Sequence, residues 1–255
     1  MDIPQHAFQD QVSILGIRVD NLTMEQALLK ICQFAKSDQP AQVFFLNAHC
    51  VNLAYKHPEY RRVLNKAELV LPDGSGLALA GKISCQPIRE NVNGTDLFPR
   101  LCALLEGSDL SLFLLGAQPG VAEQTAEWIT RYFPGLRVAG CHHGHFQLSQ
   151  SQDVAALIRQ SGADILLVAM GVPRQEEWLH NNIADCGNPV GLAVGGLFDF
   201  YSGRIPRAPL WLRRLGMEWI WRLLQEPQRM WRRYLLGNFL FTYRVFKDQL
   251  KSKRS

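Results

Sequence analysis

The stretch Ser111–Phe133, SLFLLGAQPGVAEQTAEWITRYF, sets an apolar run of strand length before a longer segment of helical pattern, with a Gly- and Pro-containing turn between them. An apolar run without polar alternation marks a strand buried on both faces, and a strand followed by a helix is half of a parallel crossover unit. The rhythm repeats downstream: LRVAGCH with SQDVAALIRQSG, DILLVAMG with PRQEEWLHNN, then PVGLAVGG as a last strand. Upstream, QVFFLNA and ELVLP add two strands, separated by helical pattern through CVNLAYKHPEYRRVLNKA. Thr23 opens an earlier helix with Gln26 at capping-box spacing, and residues 12–15 and 17–19 read as a short strand pair. Thr95 or Asp96 is expected to start a further helix, with Pro99 in its first turn. This order predicts an α/β fold, a mostly parallel sheet with helices on both faces.

The 255 residues are 47% hydrophobic and 20% charged, as in ordinary soluble globular proteins. The start, MDIPQHAFQD, lacks the basic-then-apolar order of a signal peptide, and no apolar run approaches the roughly 20 residues that cross a bilayer. Cys32, Cys50, Cys85, Cys102, Cys141 and Cys186 are scattered without a C-x-x-C pair, so reduced thiols in a cytoplasmic protein are expected. The net charge of +4 conceals an asymmetry. Residues 204–255 hold 13 Lys and Arg against three acids, a net +10, whereas residues 1–203 carry −6. Four of the six tryptophans lie in that basic segment. The expected organisation is therefore an acidic core over 1–203 and a basic, aromatic-rich helical appendage over 204–255 with an anionic partner.

The appendage reads as two helices. PLWLRRLGMEWIWRLLQE carries an apolar stripe through Leu212, Leu215, Trp219 and Leu223. From Pro227, a second helix sets Arg229, Arg232 and Arg233 on one face, with Trp231, Tyr234, Leu235 and Phe239 on the apolar side. Arginine mixed with Trp and Phe, on a helix too polar to span, describes a segment lying in a membrane interface. A basic face packed against the body is the plain alternative. A second copy of the chain is another occupant for the apolar surface, and the wealth of Trp, Leu and Phe argues against nucleic acid.

In parallel sheets, ligands sit at the carboxyl ends of strands near a switch in strand order. ELVLPDGSG delivers Asp73 there, readable either as part of a Pro-led turn or as a base whose pKa is raised by desolvation. The Gly116–Gly120 turn either offers helix N-terminal amides to a phosphate or is a plain turn; it has neither G-x-G-x-x-G nor a P-loop lysine. Gln175 starts a helix where it can point into a pocket, beside acids that suit the helix dipole in any case. Gly195 and Gly196 allow close packing, and Asp199 could accept hydrogen bonds from a base or ribose. His142, His143 and His145 have no carboxylate at ligand-like spacing, and the chain has no Asp-x-Asp, so no metal is expected.

Taken in order, NAHCVNLA, LPDGSGLALA, VNGTDL, FLLGAQPGVAEQ, HHGHF, VAMGVPRQEEW, VGGLFDFYSGRIPRAP and RRLGMEWIWRLLQEPQR resemble the WecG/TagA/CpsF glycosyltransferases, glycosyltransferase family 26, over nearly the whole chain. The resemblance implies an inverting, metal-independent transferase with a Rossmann-like core, a mostly parallel sheet with helices on both faces, that needs no cofactor. Such enzymes move a sugar, often N-acetylmannosamine or its uronic acid, from UDP to a polyprenyl-diphosphate-linked acceptor. They act at the cytoplasmic face of the bacterial membrane in surface-polysaccharide synthesis. It implies Asp73 as the base, Asn47 beside it, Gln175 in the pocket, and Arg222, Arg229 and Arg232 closing over the pyrophosphate. Many relatives carry Thr where this chain has Phe45, so a hydroxyl is missing there.

Three other readings are distinguishable. A nicotinamide oxidoreductase would need G-x-G-x-x-G and a later acid, which are not present in order. A non-catalytic, nucleotide-binding peripheral membrane protein would tolerate loss of Asp73. Within the family, transfer of glucose or another hexose in exopolysaccharide assembly is the near alternative.

Overall fold

A computed structural model describes residues 8–187 and 189–252, with the side chains of Arg214, Arg229 and Ser252 outside the description. A hairpin of β1 (Gln11–Ile14) and β2 (Ile17–Asp20) leads into α1 (Met24–Ala35). The capping box is formed: Gln26 N donates to Thr23 Oγ1 at 3.2 Å and Thr23 N to Gln26 Oε1 at 3.0 Å. Then follow β3 (Ala41–Leu46), α2 (Ala48–Lys56), α3 (Pro58–Lys66), β4 (Leu69–Pro72), α4 (Ser75–Ile83) and α5 (Gly94–Leu105). Pro58 splits the long helical pattern into α2 and α3, because the residue before a proline disfavours helical backbone and His57 is extended. The strict alternation comes next, as β5 (Ser111–Gly116), α6 (Val121–Tyr132), β6 (Arg137–His142), α7 (Ser151–Ser161), β7 (Ile165–Ala169), α8 (Arg174–Asn182) and β8 (Val190–Ala193).

The six strands β3–β8 form one all-parallel sheet in the order β4-β3-β8-β7-β5-β6. Its continuous apolar runs follow from cover on both faces. Within β5, Phe113 and Leu115 join one apolar cluster, with Phe44, Leu46, Val168 and Trp178; Leu112 and Leu114 join the other, with Phe98, Leu167 and Leu192. The hairpin guards the β4 edge: Asp20 Oδ2 accepts from Val70 N at 2.8 Å.

Two boundaries differ from expectation. Helix α5 is capped by Asn93, whose Oδ1 accepts from Asp96 N at 2.8 Å, so it starts before Thr95 and Pro99 falls in its second turn. A proline there donates nothing to the carbonyl four residues back. That carbonyl, Thr95 O, instead accepts Tyr201 Oη at 2.7 Å and Arg207 Nη1 at 3.4 Å.

The C-terminal segment runs through α9 (Leu197–Tyr201), α10 (Leu210–Arg214), α11 (Glu218–Gln225), α12 (Pro227–Trp231), a π turn (Arg232–Leu236) and α13 (Gly237–Ser252). The single helix expected over PLWLRRLGMEWIWRLLQE is two, broken where Gly216 turns left-handed at φ +69°. Leu212 is therefore buried, Leu215 exposed and Trp219 turned to the cavity described below. Helix α13 packs on α2 and α4, and its Phe241 and Val245 belong to the same apolar cluster as Phe44 and Leu46. Composition changes at residue 204, but packing continues across it. No helix among the described residues is long and apolar enough to cross a membrane.

Candidate active site

Strand order places the site. The chain steps outward from β3 to β4, then returns through β7 and β8 to pack β8 against β3, which makes β3/β8 the switch point. A cavity of about 280 Å³ opens at those carboxyl ends. Its sheet side carries Asn47 after β3, Asp73 after β4, Gly171 and Gln175 after β7, and Gly195 and Gly196 after β8. Its roof comes from the C-terminal segment, through Glu218, Trp219, Arg222, Arg233 and Tyr234.

Asp73 is partly buried and lines this cavity. Its backbone N–H extends the ladder by donating to Leu46 O at 2.7 Å. Burial pushes its carboxyl up to about 6, against the opposing pull of the Asn47 amide and the Arg233 charge; Glu218 and Asp96 push it further up. A carboxylate poised near neutrality at a cavity floor suits a general base. Asn47 holds it in place. The Asn47 Oδ1 caps α2 by accepting from His49 N at 3.1 Å and Cys50 N at 3.2 Å, while its Nδ2 donates to Asp73 Oδ2 at 3.4 Å.

Gln175 is 2% exposed, and its polar atoms are engaged within the protein. Its Oε1 accepts from Gly171 N at 3.2 Å and Gly195 N at 3.0 Å, and its Nε2 donates to Glu176 Oε1 at 2.8 Å. It ties together the loops after β7 and β8 that shape the cavity. Glu176, buried behind it, is pushed up to about 8 by desolvation and is protonated at neutral pH. Sequence reasoning saw in Glu176 only an acid suited to a helix start.

The expected site residues do not all meet. Gly116 is absent from the cavity wall because β5 lies beyond β7 and β8 from β3. Its role is local: a Cβ there would come within 2.5 Å of Ala169 O. Asp199 also stands outside the wall; it lies 3.8 Å from Arg222 Nη2 and 4.0 Å from Arg204 Nη1, balancing their charge. Gly196 lets Arg222 settle, since a Cβ there would stand 2.8 Å from Arg222 Nη2. Arg232 is exposed, with its guanidinium 5.2 Å from the centroid of the Trp231 ring, and does not line the cavity. The role expected of the Arg229 side chain lies outside the described residues.

The residue after Arg232 takes the inward place. The π turn inserts an extra residue into the helical register, with Gly237 N donating to Arg232 O, and so moves Arg233 and Tyr234 to the cavity side. Phe45, where relatives are expected to carry a hydroxyl, adds an aromatic wall against Gly94. Burial works to raise the Asp96 carboxyl, but hydrogen bonds from Asn93 and Arg207 and the charges of Arg207 and Arg213 lower it below its ordinary value; its Oδ1 meets Arg207 Nη2 at 2.8 Å and Arg213 Nη1 at 3.3 Å. This pairing fastens the loop before α10, and α10 itself, to the start of α5.

The sequence model of the glycosyl transferase WecG/TagA/CpsF family matches residues 12–255. The chain belongs to this family. Among similar proteins is the N-acetylglucosaminyldiphosphoundecaprenol N-acetyl-beta-D-mannosaminyltransferase of Staphylococcus aureus strain MW2, 30% identical over 257 residues and covering 100% of both chains. A protein of the same name from Bacillus spizizenii is 36% identical over 182 residues, 71% of this chain and 70% of the relative. A WecG/TagA/CpsF transferase with this cavity thus joins a base-like aspartate from the sheet to arginines from the C-terminal segment. Among the described residues no three His, Cys, Asp or Glu side chains are grouped to hold a metal ion.

Proposed function

We propose that this protein transfers N-acetylmannosamine from a UDP donor to an N-acetylglucosaminyl-diphospho-polyprenol, with inversion and without a metal, in bacterial surface-polysaccharide synthesis. The observation that carries this reading is the Asp73–Asn47 pair on a cavity floor roofed by Arg222 and Arg233, in a chain whose full-length relative is named for that reaction. In the proposed step, Asp73 takes the proton of an acceptor hydroxyl. That oxygen bonds to the anomeric carbon, the carbon–oxygen bond to the diphosphate breaks, and UDP leaves with the electron pair. Guanidinium groups offset the charge that grows on the diphosphate, the part a divalent cation plays in other transferases. Trp219 and Tyr234, with ring centroids 5.9 Å apart, supply an aromatic wall for a base or sugar face.

The enzyme works as a peripheral protein on the cytoplasmic side of the membrane. Trp211, Leu215, Leu224, Leu236 and Phe239 are exposed on the C-terminal segment, as is Arg232, and suit the boundary between headgroups and acyl chains. Incubating the protein with a panel of UDP-sugars and a short-chain prenyl-diphospho-N-acetylglucosamine, with products read by mass, tests the reading. The expected product gains one N-acetylhexosamine from UDP-N-acetylmannosamine. The Asp73→Asn variant should still bind UDP and lose about 100-fold or more in turnover. Transfer of glucose instead reassigns the donor; undiminished turnover in Asp73→Asn removes the base.

A further inference from the structure

Three arginines with described side chains line the cavity, and two are already neutralised. Arg213 meets Asp96 at 3.3 Å, and Arg222 lies 3.4 Å from Glu226 and 3.8 Å from Asp199. Arg233 has no described carboxylate within 4.0 Å, and its Nε is buried without a hydrogen-bond partner. Its Cζ lies 5.6 Å from the centroid of the Tyr234 ring. A partly buried guanidinium without an anion is a costly arrangement, and one that a bound anion reverses.

The backbone that presents Arg233 is anchored. Asn52, on α2, donates from Nδ2 to Gly237 O at 2.7 Å, at the end of the π turn, and its Oδ1 accepts from Arg244 Nη1 at 2.7 Å. Arg244 in turn lies over the Tyr55 ring at 4.1 Å. One helix therefore holds Asn47 at its start and fixes the π turn farther along, so that the two sides of the cavity share a frame. His49, on the same helix and lining the cavity, is neutral: burial, then the charge of Arg233, draws it down to about 4. It leaves Arg233 as the unpaired cation among the described residues of the cavity.

We propose that Arg233 directly binds a substrate diphosphate, in the place its neighbour Arg232 was expected to fill, and that the π turn exists to aim it there. The proposal rests on the glycosyltransferase reading for the identity of the diphosphate, which belongs either to the nucleotide donor or to the lipid-linked acceptor. Arginine suits this task because its planar fork grips phosphate oxygens bidentately. Arg233 also acts on the base through space. Asp73 is faced by Asn47 at the start of α2, Asp96 on α5, Glu218 on α11 and Arg233 on the π turn, with His49, Arg213 and Arg222 on the same cavity wall. Removing the Arg233 charge raises the Asp73 pKa and moves the acid limb of kcat/KM to higher pH.

The experiment compares the full-length parent with Arg233→Gln and Arg233→Lys, by calorimetric titration with inorganic diphosphate and with UDP, by acceptor KM, and by pH–rate profile. With a nucleotide source, Arg233→Gln weakens UDP and diphosphate binding at least tenfold. With a lipid source, UDP binding holds while acceptor KM rises at least tenfold. Either result supports the proposal, provided the acid limb moves up in Gln and stays in Lys, which keeps the charge. Values within twofold of the parent in every arm, in Gln or, should Gln not fold, in Lys with its bidentate fork removed, overturn it. Arg233-dependent diphosphate binding in a parent that transfers no sugar sinks the proposed reaction and leaves Arg233 standing. Normal transfer by Arg233→Gln sinks Arg233 alone.

Discussion

Glu176 sits 1% exposed, directly after the pocket glutamine, with one carboxyl oxygen bonded to Gln175 and the other without a partner. Its folded-state pKa of about 8 lies above the usual value for a free glutamate, so the folded protein holds a proton that the unfolded chain releases. The resulting stability is present below about pH 4.5, the unfolded value, and is lost as pH rises through about 8. Replacing Glu176 with Gln keeps the shape and removes the titration. The variant should melt higher than the parent above pH 8 and show a flatter stability–pH curve, measured by thermal unfolding across pH 5–9. At this scale much was legible. Asp73 could be weighed from ELVLPDGSG because proline, aspartate and two glycines after an apolar run mark a strand end either way. Gln175 could be listed as a pocket residue, but not its bonds to Gly171 and Gly195, which depend on two loops meeting in space. Arg233 was legible as one of three arginines sharing a helix face with Arg229 and Arg232; that it lines the cavity while Arg232 does not lies beyond an ideal helical register.

Helices and strands were read well wherever pattern and punctuation agreed, as at the Thr23 capping box; the division of CVNLAYKHPEYRRVLNKA at Pro58 was not read, although the proline signalled it. The misplaced start of α5 had a signal: Asn93 precedes Asp96 by three residues, the spacing of a capping pair, but Thr95 drew attention as a rival cap. The split of α10 from α11 was signalled by Gly216, overlooked because the apolar stripe continues through it. Pro99 has an effect that no pattern discloses. By leaving Thr95 O open, it offers an acceptor to Tyr201 and Arg207, and so ties α9 and the approach to α10 onto α5. Pro99→Ala supplies a competing N–H within α5. The expected result is an unchanged or higher melting temperature, faster protease cleavage within residues 202–209, and a several-fold fall in kcat/KM. Unchanged cleavage would show that Asp96 alone holds the segment.

Across the molecule, the charge contrast between residues 1–203 and 204–255 was plain in the sequence, and so was the parallel sheet. The strand order was not, since the alternation of strand and helix is the same for any right-handed winding. Nor was the seating of α13, whose Phe241 and Val245 are only two apolar residues in a long, mixed helix. Deleting residues 204–255 takes Glu218, Trp219, Arg222 and Arg233 from the cavity and uncovers the faces of α2 and α4 that α13 protects. The truncated protein should lose transfer on lipid-linked acceptor and melt several degrees lower, read by mass and by calorimetry. Full activity would show that the roof is dispensable.

Strand β8 is the last of the sheet to be synthesised, yet it lies in the middle, joining β4-β3 on one side to β7-β5-β6 on the other. Until the ribosome has released residues 190–193, a nascent chain holds two sheet fragments, each with a bare inner edge. A premature stop before that point leaves a sticky intermediate without a working pocket. Quality control would meet such a product as an aggregate; it could not act as a stray, partly competent enzyme on the nucleotide-sugar pool.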